Sequence, residues 1–132
     1  MADKIVFLTT PGSGTWTVPD DWNDSDNTIE CIGGGAGVKS TQTGGGGGAY
    51  AKVSNLTLSG TISYVVGAGG DGTNAATDTW FKGTNFSDSS VGAKAASVST
   101  GGQASASRGD TKYNGGNGGA SIDGYSAGGG GG

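Results

Sequence analysis

Histidine is absent from this 132-residue sequence, and cysteine occurs once, as Cys31. Without histidine there is no Ser-His-Asp or Cys-His catalysis and no histidine-ligated metal. One cysteine excludes an internal disulfide framework and a four-cysteine zinc site. Charge is sparse as well: 14% of residues, seven basic against eleven acidic, for a net charge of −4. A surface that tracks phosphates is usually strongly basic, so this balance argues against nucleic acid as a partner. No apolar run approaches the roughly 18 residues of a spanning helix, so membrane insertion is not expected. The apolar run nearest the N-terminus, Ile5–Leu8, is four residues long. A secretory leader needs about 7–15, so the expectation is a chain made in the cytoplasm without a signal peptide.

What is abundant is glycine, 31 of 132 residues, about three times the average usage of about 7%. Each glycine in regular structure costs about 0.5–1 kcal/mol relative to alanine. Aliphatic and aromatic residues, at 32% of the chain, offer little burial to offset that. Two outcomes follow. Either the glycine-rich part is disordered, or glycine stands where main chains approach closer than any Cβ permits. In the second case the stabilisation comes from backbone hydrogen bonds and Cα–H···O contacts, in part supplied by neighbouring copies.

The first two-thirds reads as short strands and shows no helical periodicity. Lys4–Thr10 is β-branched and aromatic and ends in the turn Pro11-Gly12-Ser13-Gly14. Further strands are expected at Thr15–Val18, at Thr28–Ile32 with Ile29 and Cys31 on one face, at Ala49–Val53 and at Gly60–Val66. Thr79–Phe81 and Val91–Val98 complete the set. Composition shifts near Thr100, which predicts two parts: a β-sandwich-like domain over 1–100 and a glycine-rich segment over 101–132, packing on that domain or on neighbouring subunits. The segment has no Gly-X-Y period and no proline, which excludes collagen and leaves polyglycine-II-like strands or disorder.

Few motifs carry chemistry. Gly67-Ala68-Gly69-Gly70-Asp71-Gly72 matches Gly-x-Gly-x-x-Gly, but no helix pattern follows and a chance match is expected in such a chain. No Gly-Lys-Ser/Thr follows a glycine run, so there is no P-loop. The loop 20–27 offers Asp20, Asp24 and Asp26 as candidate calcium ligands with carbonyl oxygens. It fails the EF-hand pattern, since Ile29 stands where glycine is required, and the plainer reading is a solvated loop of turn formers. Arg108-Gly109-Asp110 spells an integrin-type tripeptide of a kind that arises by chance. Asn23, Asn55 and Asn85 lie in Asn-x-Ser/Thr sequons that are expected to stay unmodified. The single glutamate, Glu30, falls in a predicted strand, so no carboxylate pair stands out for glycosidase work. The expectation is a protein that is not an enzyme and uses no cofactor. Trp16, Trp22, Tyr50, Tyr64, Trp80 and Phe81 are the expected core aromatics. Tyr113 and Tyr125, with Asn114 and Asn117, sit in Gly/Asn/Ser surroundings typical of binding loops; these four are the candidate receptor contacts.

The pieces also come in a recognisable order. Gly14-Thr15-Trp16-Thr17-Val18-Pro19 precedes Ile29-Glu30-Cys31-Ile32-Gly33-Gly34-Gly35-Ala36-Gly37. Gly44–Gly48 with Ala49-Tyr50-Ala51 follows, then Tyr64-Val65-Val66-Gly67-Ala68-Gly69-Gly70, Thr79-Trp80-Phe81 and a glycine-paired tail. Over roughly residues 14–132 this resembles the glycine-rich domain of bacteriophage tail-fibre and virion appendage proteins. The resemblance implies an antiparallel, jelly-roll-like β-sandwich whose glycine-rich part packs as polyglycine-II strands. It implies a virion structural protein (tail fibre, fibre tip or capsid decoration) that is homo-oligomeric or bound to other virion proteins and is involved in attachment. The family brings no catalytic residues. Trp80 departs from its usual aliphatic residue, Val38–Gln42 replaces a longer glycine run, and the tail ends in Gly128–Gly132 with no closing strand. Two alternatives stand beside this reading. One is an adhesin that recognises a cell-surface glycan or outer-membrane protein. The other is a self-assembling glycine-rich fibre or ice-binding protein.

Overall fold

In the computed structural model, which describes residues 3–38, 43–122 and 129, the alternating stretches are strands. In chain order they are β1 (Gly12–Thr17), β2 (Thr28–Ile32), β3 (Tyr50–Ser54), β4 (Thr61–Val66), β5 (Thr79–Phe81), β6 (Val91–Ala93) and β7 (Thr111–Tyr113). They form two antiparallel sheets, β1-β4-β5-β6 and β2-β3-β7. β5 and β6 pack across the core against the second sheet. The chain is an all-β sandwich whose only helical pieces, among the described residues, are 3-10 turns at Phe86–Asp88 and Ala104–Ala106.

Period-two alternation decides which side chains meet. Cys31, Ala51, Val53, Ile62, Phe81, Val91 and Ala93 point inward, joined by Leu58. Trp16 meets Trp22 edge-on at 5.5 Å and Phe81 at 5.9 Å, and buried aromatics of this kind each cover about 150–250 Å². The loop before β2 is tied down by its polar groups. Trp22 Nε1–H donates to the Leu56 carbonyl at 3.1 Å, and the Leu58 N–H donates to Asp24 Oδ1 at 3.2 Å. The one cysteine, Cys31, is a small buried core residue, and burial pushes its thiol up to about 12.

Beyond the strand ends the packing rule changes. β2, β4, β6 and β7 run on into, and β3 and β5 are led in by, glycine- and alanine-rich segments that lie side by side. Residues 44–49 are central to them. Gly44 N–H donates to Gly119 at 2.9 Å and Gly47 N–H to Gly116 at 2.8 Å, both in one direction. Gly46 N–H donates to Val98 at 2.8 Å and Ala49 N–H to Lys94 at 2.9 Å, in a second. In a third direction the Cβ positions of Gly45 and Gly48 are already filled by the carbonyls of Ala36 and Gly33. Partners thus recur every three residues, the period of a polyproline-II helix, and not every two as in a strand. The described glycines with positive φ are Gly12, Gly60, Gly72 and Gly109, none of them in 44–48. Glycine is needed in this run for closeness, not for a left-handed turn.

The bundle is closed by one chain. Gly101, Gly115 and Gly118 hold carbonyls of Gly115, Gly47 and Gly44 inside 3.0 Å of where a Cβ would stand. The described part of the glycine-rich segment therefore packs on its own subunit. Its strand β7 pairs with β3 in the same sheet.

Four assignments change. The turn expected at Pro11–Gly14 is already β1 from Gly12 on, paired with β4, and the strand expected over Val91–Val98 ends at Ala93, where the chain passes into the glycine- and alanine-rich packing. Lys4–Thr10 is not a strand: its backbone meets no sheet edge, and Ile5, Val6 and Phe7 are 73%, 56% and 81% exposed. β-propensity expresses itself only against a partner strand. β7, not expected, is three residues long and is set by pairing with Tyr50–Lys52 rather than by any local pattern. The core aromatics divide as well, since Trp16, Trp22, Tyr64 and Phe81 pack at the core whereas Tyr50 and Trp80 do not, alternation turning both to the outer faces of their strands.

A paired substitution tests the bundle. Gly48→Ala places a methyl against main chain that cannot yield, and the expected loss is about 1–3 kcal/mol. At Gly69 the nearest atom to an added Cβ is 3.6 Å away, so Gly69→Ala should leave stability unchanged or slightly raised. Denaturant midpoints of the two variants would be compared.

Candidate functional site

The outward residues of β2, β3 and β7 form rows set by register. Ile32 lies opposite Tyr50 and Tyr50 opposite Tyr113; one step along, Glu30 lies opposite Lys52 and Lys52 opposite Thr111. The first row is apolar and aromatic, the second polar with one charge of each sign. The face is held flat from behind, because Ala51 and Val53 alternate with Tyr50 and Lys52 and are buried.

Tyr50 and Tyr113 stack at 5.8 Å between ring centroids with 29° between planes. Tyr113 remains 63% exposed and Ile32 64%. A groove of about 590 Å³ opens over them, lined by Ile32, Gly48, Tyr50 and Lys52 on one side and Thr111, Tyr113 and Asn114 on the other. A second hollow of about 440 Å³ shares Ile32 and Gly48 and continues over Gly33–Val38, Gly44–Gly47 and Gly129. Partial burial, and after it the neighbouring Glu30 carboxylate, raises the Tyr50 phenol above its ordinary value.

The candidate contacts fare differently. Tyr113 and Asn114 come together at this groove. Asn114 also steadies the turn beside it, its Oδ1 accepting the Ala104 N–H at 2.7 Å. Asn117 is not at the groove; its Oδ1 accepts the Gly101 N–H at 2.9 Å, a bundle contact. Tyr125 lies outside the described residues. Asp20, Asp24 and Asp26 do not converge, and among the described residues no three acidic or thiol side chains cluster to hold a metal. Asp24 is engaged with the Leu58 N–H, as described above.

Other motifs turn out to be architectural. Arg108 Nε–H donates to the Ser89 carbonyl at 2.7 Å, Gly109 takes φ +139, and Asp110 N–H donates to the Lys52 carbonyl at 2.8 Å. The tripeptide is thus a link between the two sheets. Asp71, in the Gly-x-Gly-x-x-Gly match, closes a turn by accepting the N–H groups of Asn74 and Thr73, which lower its carboxyl to about 2.

Tyr50, Lys52 and Ile32 were missed as surface residues. The usable signal was alternation: with Ala51 and Val53 inward, Tyr50 and Lys52 must face out. Comparison with family models, with curated proteins and with solved structures returned no match.

The Glu30 charge is one reason the Tyr50 phenol is raised. Glu30→Gln removes that charge and should bring the Tyr50 titration midpoint down. A pH titration of the Tyr50 ring-carbon resonances in the two proteins reads the change.

Proposed function

We propose that this chain is a non-enzymatic structural protein of a bacteriophage virion, a fibre, fibre tip or capsid decoration, that self-assembles and meets the host surface through the β2-β3-β7 face. The order of its strand and glycine pieces supports the virion part of the reading. What supports the non-enzymatic part is the composition: there is no histidine in the sequence, the one cysteine is buried, and the one glutamate sits opposite Lys52.

The observation that carries self-assembly is the segment before β1. Ile5, Val6 and Phe7 are three consecutive large apolar residues with most of their surface in water. Among the described residues, Asp3–Thr9 makes no main-chain hydrogen bond. Lys4 is held by an ion pair to Asp21, and Leu8 reaches the core. Burying a side chain of this size is worth about 1.5–3 kcal/mol, and unmade backbone bonds favour pairing with another strand. A second copy of the chain supplies both.

Sedimentation velocity at increasing concentration should therefore show an oligomer, and Phe7→Asp should shift it toward monomer without loss of the β circular-dichroism spectrum. A chain that stays monomeric throughout and does not co-sediment with virions would overturn the reading.

A further inference from the structure

We propose that the groove over the stacked pair Tyr50 and Tyr113 is a saccharide site that takes a neutral pyranose, with a second ring reaching toward the glycine-lined hollow. The proposal rests on the host-contact half of the reading above and names the ligand class of that same face.

The ring geometry comes first. Tyr50 and Tyr113 stack at 5.8 Å, both line the groove, and Tyr113 remains 63% exposed, so the pair gives the groove an aromatic wall. A pyranose has an apolar C–H face edged by hydroxyls. It fits a site with an aromatic platform and donors and acceptors at its rim.

The rim has them. Asn114 spends its Oδ1 on the Ala104 N–H, which fixes the amide, and its Nδ2 donates to no group among the described residues. Lys52 adds an ammonium and Thr111 a hydroxyl on the same row. Lys52 is the one charged residue that lines the groove, and Glu30 stands opposite it in the register. A single cation offset by a neighbouring carboxylate suits a neutral sugar better than an anionic one, which would call for a cluster of cations.

Size and rigidity agree. The groove, about 590 Å³, falls within the roughly 300–1,000 Å³ of small-ligand sites. Through Ile32 and Gly48 it continues into the second hollow, which gives room for more than one ring. β3 is buried on its inner side and β7 is anchored by the bundle, so little order has to be gained on binding. A peptide strand is the competing occupant, but the β7 edge is only three residues long, too short a ladder to hold one.

The test uses the full chain on an array of immobilised neutral and acidic oligosaccharides. Ring-carbon NMR with the best neutral glycan then follows. Neutral hexose or N-acetylhexosamine glycans are expected to bind and to shift the Tyr50 and Tyr113 ring signals. Tyr113→Ala should weaken binding by about tenfold. Tyr113→Phe should keep most of the affinity, and Thr15→Ala on the opposite sheet all of it. Binding confined to acidic glycans, binding that survives Tyr113→Ala, or no neutral glycan bound by a correctly assembled oligomer would each overturn the proposal. Sedimentation of the same samples separates the two readings: a monomer that binds the sugar removes self-assembly and leaves this site standing.

Discussion

Everything in this molecule is arranged around contact between one main chain and another at positions where a side chain would intervene. The carbonyls of Gly33, Gly44 and Gly47 occupy the Cβ sites of Gly48, Gly118 and Gly115. Such contacts combine N–H···O bonds with weaker Cα–H···O ones worth about 0.5–1 kcal/mol each. They let a chain with few aliphatic residues build a second packed region beside a small apolar core. The sandwich and the bundle are not separate, because every strand but β1 adjoins a bundle segment and each region anchors the other.

This arrangement explains where a binding face can exist. The bundle offers hydrogen-bonded backbone with little side-chain chemistry. The inner faces of both sheets are committed to Cys31, Val53, Ile62, Phe81 and their neighbours. Varied side chains remain on the outer faces, and on β2-β3-β7 they bring an aromatic row beside a charge-balanced one. A stiff backbone under such a face is what a recognition surface needs, since positions set by strands are held more closely than positions on loops.

The sandwich was readable in the sequence because apolar alternation is a property of adjacent residues. Thr28–Ile32 and Thr79–Phe81 are strands over the expected ranges, and Gly60–Val66 misses by one residue. β7 and the fate of Lys4–Thr10 were not readable for one common reason: both depend on whether a partner edge is available, and pairing is non-local. Tyr50 and Tyr113 were each visible in the sequence, but their adjacency follows from the β3–β7 register, which residues more than sixty positions apart do not announce. Glycine runs were legible as close packing or disorder. Which of the two holds is decided by carbonyls that come from distant segments.

The three-residue repeat of partners along Gly44–Ala49 also has a mechanical side. In a flat ladder all bonds lie in one plane, so force applied at an edge can open them one after another. Here successive residues grip different neighbours around the axis, and a pull on any one segment is shared among several others. A tether subjected to repeated tugging gains from such radial bracing, which no added side chain could supply without pushing the segments apart.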